Sequence, residues 1–153
     1  MHKPYLSKEQ ALQKVKHYCG YQERCHSEVV SKLYELGVYK NEHDEIISTL
    51  IQENYLNEER FAIQFAGGKF RLKQWGKTKI KYELKSKQIS EYCIKKALAT
   101  IPLADYLKTA QKLFDAKSNT LKSEKNIYTK KRKLQDYLMQ KGYEISIIKE
   151  LMG

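Results

Sequence analysis

The chain has 153 residues, 41% hydrophobic and 31% charged, which suits one compact domain or a few small modules with thin, mostly helical cores. Its 29 basic and 18 acidic side chains give a formal net charge of +11, which favours a polyanionic partner such as nucleic acid or an acidic protein face. No apolar run approaches the ~18 residues of a membrane span, and the first residues lack the apolar stretch of a signal peptide. The three cysteines have no disulfide-framework spacing, so we expect reduced thiols and a cytoplasmic protein.

The N-terminal third predicts three helices. Apolar residues at helical spacing indicate a helix over residues 8–19, a second that ends at Gly37, and a third over residues 42–53. The thiol of Cys25 makes a poor N-cap, so we expect Ser27 to cap the second helix and to shift its start by two residues.

The central stretch begins with a helix start. Asn57 is a good N-cap, and it is followed by two glutamates whose carboxylates the helix dipole favours in the first turn. The spacing predicts one buried face for this helix, formed by Phe61, Phe65, Gly68 and Leu72. Gly76 is expected to end the helix or to form the turn after it. A further helix then begins near Lys77.

This central stretch is also the most basic part of the chain. Aromatic residues are interleaved with the cations, an arrangement that suits phosphate contact and base stacking. The alternative is that the cations only form a solvated, charged face of the protein. The basic residues are Lys69, Arg71 and Lys73 at the corner, and Lys77, Lys79, Lys81 and Lys85 along the next helix.

The C-terminal part predicts four more helices. Ser90 caps the sixth helix, and Pro102 opens the seventh, which extends over about residues 103–121. The basic run Lys130–Lys133 leads into the eighth helix, and the ninth covers residues 144–152.

A leucine followed four residues later by a turn residue recurs three times, at Leu33, Leu84 and Leu138. Each instance marks the end of a second helix that is followed by a short third helix. The sequence therefore predicts an all-α fold of three tandem three-helix repeats, helix-turn-helix-like, with about nine helices in an elongated stack. The predicted boundaries are residues 1–54, 55–101 and 102–153.

No pattern of residues indicates catalysis or a cofactor. Gly67 and Gly68 lie inside a helical pattern without the residues that flank a phosphate-binding loop. The group His17, Cys19, Cys25 and His26 lacks the spacing of a zinc module, so we expect no metal. The sequence is therefore more typical of a protein that binds a partner than of an enzyme.

The central motifs resemble the core signature of the RecX family. The resemblance lies in Leu-Asn-Glu-Glu-Arg-Phe-Ala from Leu56, the basic residues that follow, and Lys-Ile-Lys-Tyr-Glu-Leu from Lys79. A weaker likeness surrounds Arg24. This chain departs from the family pattern in having Lys77 for a proline and Gln88 for a glycine, and Cys25 for a serine. The resemblance covers about residues 9–152.

The resemblance implies a non-enzymatic bacterial regulator, built from three such repeats, that binds the RecA recombinase. It implies a position in the groove of the RecA–single-stranded DNA filament, near the DNA phosphate backbone, and suppression of ATPase, strand-exchange and coprotease activities. We expect a monomer. Arg60 has an alternative structural role, pairing with Glu59. The residues that we predict to bind the partner or nucleic acid are Arg24, Arg60, Lys69, Arg71, Lys73, Lys77, Lys79, Lys81, Lys85, Lys131 and Arg132.

A DNA-binding module with helix-turn-helix units is the alternative function. The fifth helix is rich in lysine, which suits contact with the phosphate backbone better than the reading of bases.

Overall fold

The structure is a computed structural model that describes residues 6–153, and within that range all the regular secondary structure is α-helical. Residues 1–5, which include the start of the predicted first repeat and the segment expected to carry no signal peptide, lie outside the described part. The nine helices are α1 (Lys8–Tyr21), α2 (His26–Glu35), α3 (Lys40–Gln52), α4 (Glu58–Lys73), α5 (Lys77–Ser86), α6 (Glu91–Ala99), α7 (Leu103–Thr120), α8 (Ile127–Lys141) and α9 (Ile145–Met152).

The helices pack in consecutive groups of three, which we call the first unit (α1–α3), the second unit (α4–α6) and the third unit (α7–α9). The first unit has its own hydrophobic core, centred on Val15, Leu33 and Leu50. The second and third units share one core that includes Ile80 and Leu138. The predicted boundaries fall between α3 and α4 and between α6 and α7, and we retain them as a proposal.

The threefold repeat predicted from the leucines is confirmed by the way in which each second helix ends. The amides of Val38, Ile89 and Tyr143 donate to the carbonyls of Leu33, Leu84 and Leu138 at 3.0, 3.1 and 3.1 Å. In each case the residue before the donor has a left-handed backbone, with φ of 77° at Gly37, 64° at Gln88 and 97° at Gly142. This is the closing bond of a Schellman-type helix end, and it turns the chain into the third helix of each unit.

The predicted elongated shape agrees with the surface area. The chain exposes 10097 Å², whereas a compact monomer of this mass exposes about 8,000 Å². A row of small units has more surface than a sphere of equal mass because each unit contacts only its neighbours in the chain.

At the start of α2 the expected cap was wrong. Cys25 is the N-cap residue, and its backbone amide donates to the Glu28 carboxylate at 3.0 Å. The Ser27 hydroxyl instead donates to the Lys87 carbonyl of the second unit at 3.0 Å. Ser27 is therefore a link between two units, and the helix starts without the two-residue shift.

In α4 the N-cap was right and the buried face was partly wrong. The Asn57 side chain accepts a hydrogen bond from the Arg60 amide at 2.9 Å. The buried face consists of Phe61, Ala62, Ala66, Gly67 and Phe70. Leu72 is 83% exposed, because it lies off the face of α4 that carries the buried Phe70 of the same turn. The helix ends at Lys73, with Gln74 as its C-cap at a φ of 58°, and Gly76 is the N-cap of α5.

In α8 the basic run Lys130–Lys133 lies inside the helix and does not precede it. The helix begins at Ile127 because the Asn126 side chain accepts hydrogen bonds from the amides of Tyr128 and Thr129. An asparagine cap can start a helix before a run of cations even though the helix dipole disfavours cations there.

The first and second units are joined largely by polar side chains. Arg60 donates through Nε to the Glu23 carboxylate at 2.7 Å, and its two Nη atoms donate to the side chain and carbonyl of Asn54 at 3.0 and 3.1 Å. Lys87 approaches the Glu28 carboxylate at 3.7 Å, beside the Ser27 bond. Cys25 is the one residue of the first unit in the shared core of the other two.

Candidate nucleic-acid interface

The site is built on the corner between α4 and α5, which lies directly against the end of α8. The Gly76 amide donates to the Lys141 carbonyl at 2.7 Å, and the Thr78 amide donates to the Gly142 carbonyl at 2.9 Å. A Cβ on Gly76 would lie 2.3 Å from the Gly142 carbonyl carbon, and a Cβ on Gly142 would lie 2.2 Å from the Lys79 Cβ. Only glycine at both positions allows the two backbones to approach so closely.

Two buried tyrosines fix this corner from the third unit. The Tyr106 hydroxyl accepts a hydrogen bond from the Lys77 amide at 2.8 Å and donates to the Glu144 carboxylate. The Tyr143 hydroxyl donates to the Gln74 carbonyl at 2.9 Å. Burial, followed by the Glu144 carboxylate, raises the pKa of both phenols well above the ordinary value. Both phenols are therefore neutral donors at physiological pH.

Lysines gather around Trp75 in the corner. The Lys69 ammonium lies 5.0 Å from the centre of the Trp75 ring, and the Lys79 ammonium lies 4.6 Å from it. These cation–π distances hold two charges from different helices beside one ring. Lys141 of the third unit adds a further cation, since its ammonium approaches the Lys73 carbonyl at 3.4 Å.

The basic surface continues along α8. Lys130, Lys133, Tyr137 and Lys141 recur at spacings of three or four residues and so share one face of that helix. From Lys130 to Lys141 this face extends about 16 Å, at 1.5 Å per residue. Trp75, Lys79, Tyr137 and Lys141 line a shallow groove together with Gln140. Lys117 of α7 places its ammonium 5.2 Å from the Tyr137 ring.

Most of these cations have no acidic partner. Among the described residues, Lys133 pairs with Glu124 at 3.5 Å, and the other lysines of the surface form no ion pair. The charge is therefore uncompensated and is shared by the second and third units across their junction. We call this region the junction surface and define it by Lys69, Lys73, Trp75, Lys79, Lys117, Lys130, Lys133, Tyr137 and Lys141.

The remaining central cations lie apart from the junction surface or serve the fold. Lys77 is half-buried, with its ammonium 4.9 Å from the centre of the Tyr106 ring. Lys85 pairs with Glu91 at 3.0 Å, and the exposed Lys81 lines a separate groove beside the same glutamate. The Arg71 guanidinium lies over Gly67, in a third groove.

The other predicted residues are also dispersed. Arg60 has a structural role in the link between the first two units, but its partner is Glu23 and not the expected Glu59. The role of Arg60 in binding stays a prediction. Arg24 lies in a groove of the first unit. Lys131 and Arg132 are exposed on α8, but they point away from the face that carries Tyr137, since each successive residue is rotated by about 100°.

Four lysines of the junction surface were missing from the predicted binding residues: Lys117, Lys130, Lys133 and Lys141. A signal existed for the three on α8, because they share a helical spacing with Tyr137. Lys117 could not be found in this way, since its neighbour Tyr137 is 20 positions away in the sequence.

Among residues 6–153, no cluster of three or more histidine, cysteine or acidic side chains could hold a metal ion. Cys19, Cys25 and Cys93 are buried free thiols. None of the described helices combines the length and the apolar character that a bilayer crossing requires.

Family models match two parts of the chain. The model of the RecX second three-helix domain matches residues 57–98, and the model of the RecX third three-helix domain matches residues 104–152. These ranges correspond to the second and third units.

Solved structures with the same fold carry the RecX name. The crystal structure of RecX from Lactobacillus salivarius superposes with a TM-score of 0.85 at 23% identity, over 95% of this chain and 94% of that chain. A second crystal structure of a regulatory protein RecX gives a TM-score of 0.84 at 21% identity, over 99% of this chain and 80% of that chain.

Sequence relatives agree with this. The regulatory protein RecX of Clostridium perfringens strain 13 is 36% identical over 118 residues, which is 76% of this chain and 55% of that protein. The protein of that name from Bacillus cytotoxicus is 28% identical over 131 residues, which is 86% of this chain and 48% of that protein. The chain thus spans about half the length of the curated relatives that it matches. With two domain models, curated relatives and the fold in agreement, the chain belongs to the RecX family.

Proposed function

We propose that this protein is a non-enzymatic regulator that binds RecA and the RecA–single-stranded DNA filament in the cytoplasm and inhibits ATPase, strand exchange and coprotease activity. Family membership supports a regulatory role. The proposal that the protein binds the filament is supported by the junction surface. There, uncompensated lysines from two units surround Trp75 on an elongated body. Such a body can contact several protomers of a filament at once while its lysines lie near phosphates.

Binding through several units makes the later contacts effectively intramolecular. Once one unit is bound, the effective concentration of the next unit at its own site is high, so modest individual contacts give strong binding overall. A monomer of three linked units therefore suffices for tight association with a repeating partner.

The experiment is a titration of the protein, below the concentration of RecA, into an assay of single-stranded-DNA-dependent RecA ATPase. We expect inhibition at substoichiometric amounts. Reversal of charge at Lys69, Lys73 and Lys79 to glutamate should weaken that inhibition about tenfold or more, because each phosphate or carboxylate contact then becomes repulsive.

The matched control reverses three exposed lysines that lie outside the junction surface, Lys95, Lys108 and Lys112. This variant has the same net charge as the first, so a shared loss of inhibition would show that total charge alone matters. Circular dichroism verifies that both variants keep the helicity of the parent protein. Full inhibition by the junction variant would refute the assignment of this surface.

The alternative function, a DNA-binding module that acts through phosphate contacts, is favoured by the same uncompensated lysines. It predicts inhibition only when the protein saturates the DNA, since competition for phosphates is then the cause. The absence of any effect on RecA at all concentrations would leave this alternative standing and exclude the regulator.

A further inference from the structure

The first unit contains a groove of about 530 Å³ between α1 and α2, and the junction surface does not include it. Lys14, His17 and Tyr21 line one side from α1, Lys32 lines the other side from α2, and Arg24 enters from the connecting loop. No carboxylate is among the described residues that line the groove. The groove is thus both basic and aromatic.

Arg24 is held in place before any ligand arrives. Its Nε donates to the Tyr18 carbonyl at 3.1 Å, and its guanidinium carbon lies 3.7 Å from the centre of the Tyr18 ring. This stacking fixes the plane of the guanidinium, and the bond at Nε fixes its rotation within that plane. The two Nη groups, for which the described residues provide no acceptor, remain available as a preorganised fork for an oxyanion.

The other cations of the groove add positive charge around this fork. Lys14 has no ion-pair partner among the described residues. The Lys32 ammonium lies 5.4 Å from the centre of the same Tyr18 ring and pairs at 3.4 Å with Glu35, so its charge is partly compensated. Arg24 and Lys14 are therefore the principal positive charges that a ligand meets.

Tyr21 provides an exposed aromatic ring beside the cations of the groove. It is the last residue of α1, lines the groove, and is 80% exposed. An aromatic ring that is this exposed beside a fixed arginine suits a ligand with a flat face adjacent to an anion. A nucleotide of a single strand has both, whereas a base pair in a duplex has no free face for stacking.

We propose that this groove binds one nucleotide unit of single-stranded nucleic acid, with the phosphate on Arg24 and Lys14 and the base stacked on Tyr21. The site lies in the first unit, outside the residues that the two family models match. It goes beyond the proposed function, because it would bind a free strand whether or not RecA is the partner.

The test measures binding of a fluorescent ten-residue oligo-dT to the full chain by polarisation at several salt concentrations. Arg24→Met should weaken binding about tenfold and reduce the slope of log affinity against log salt by about one, as expected for one lost phosphate contact. Arg24→Lys should keep the slope and still lose about threefold or more, because lysine cannot form the fork. Tyr21→Leu should weaken binding about fivefold with the slope unchanged, because stacking is uncharged.

Lys112→Met is the matched control, since it removes one exposed charge of α7 far from the groove, and it should change affinity less than twofold. An NMR titration reports on the site itself, because the Arg24 Nε–H signal should shift when oligo-dT is added and keep its position when the same sequence is added as a duplex. Equal effects of Arg24→Met and Lys112→Met, together with an unchanged Nε–H signal, would overturn the proposal. Displacement of oligo-dT from this site by an oligoglutamate peptide at equal charge concentration would also overturn it in favour of an acidic protein ligand.

Discussion

At the scale of single residues, three non-glycine residues in the described part of the chain adopt a left-handed backbone: Asn54, Gln74 and Gln88, with φ of 64°, 58° and 64°. Each ends a helix at a point where the next one must begin within a few residues. Asparagine tolerates this conformation better than most residues, whereas glutamine has no such advantage. Gln88 is the position at which the first and third units have glycine, so it stores strain that its equivalents lack.

Gln88→Gly should therefore stabilise the protein. Relief of the left-handed conformation is worth about 1 kcal/mol, less the extra entropy that a glycine loses on folding. Gln88 is exposed, so the substitution removes no packed side chain. The midpoint of urea unfolding should rise, and a midpoint that fell below that of the parent protein would contradict the account of strain.

Gly76→Ala should have the opposite effect. The new methyl group would lie 2.3 Å from the backbone of Gly142, and neither chain can move away without breaking the bonds to Lys141 and Gly142. We expect a loss of about 2–3 kcal/mol in the free energy of unfolding, the upper range for overpacking. Gly68→Ala is the control, because a methyl group at Gly68 meets nothing within 4 Å, and it should be neutral or slightly stabilising.

The residue-level predictions succeeded where the cause was local. Asn57 and Ser90 cap their helices as expected, because a cap depends on residues two or three positions away. Arg60 could not be assigned in this way, since its partner Glu23 is 37 positions away.

At the scale of helices, the number and order of elements followed from apolar spacing, while the orientation of individual faces did not. Leu72 fits the apolar period of α4, yet α6 and α5 cover only the face that runs through Ala62, Ala66 and Phe70. Which of two overlapping stripes is covered depends on the neighbouring helices, and no local pattern contains that information. The same reasoning separates Lys130, which faces Tyr137, from Lys131 and Arg132.

The helices that meet at the junction should also respond to alkaline pH. Tyr106 and Tyr143 have raised pKa values in the folded protein, whereas an unfolded phenol titrates near 10. Below about pH 9 both states keep these protons and the stability is complete. As the pH rises through 10, the unfolded state releases protons that the folded state retains, so the free energy of unfolding falls by up to ~1.4 kcal/mol per pH unit for each phenol.

Tyr143→Phe removes one of these phenols, so the stability of this variant should fall less steeply between pH 9 and pH 11 than that of the parent protein. Urea unfolding at pH 8, 9, 10 and 11 measures the two slopes, and all other titrating groups cancel in the comparison. Tyr128→Phe, which removes an exposed hydroxyl, is the control and should keep the parental slope. Parallel curves of stability against pH for all three proteins would show that the pKa of Tyr143 is not raised in the folded protein.

At the scale of the whole molecule, the nine helices of residues 6–153 pack around two hydrophobic cores of unequal size. The second and third units share a core and backbone hydrogen bonds, whereas the first unit is attached largely through Arg60, Ser27 and Lys87. Polar contacts at a surface are worth less than a continuous apolar core. The first unit is thus the part that can open or change its angle at the lowest cost.

Arg60→Met should loosen the first unit alone. The variant loses the hydrogen bonds to Glu23 and Asn54 and leaves the Glu23 carboxylate without its partner. Hydrogen exchange of the backbone amides in α1–α3 should therefore accelerate about tenfold. Exchange in α4–α9 should stay within twofold of the parent protein. Uniform acceleration in all nine helices would mean that the molecule opens as one cooperative body.

The join at Gly76 and Gly142 has a consequence for how this fold can diversify. Its hydrogen bonds run between main-chain atoms, and its close approach requires only that two side chains be absent. Substitutions on the surface leave these atoms in place, so the angle between the second and third units is nearly independent of the surface residues that surround it. Such a geometry can persist while surface lysines and caps are exchanged around it, as expected of a chain that retains its fold at 23% identity.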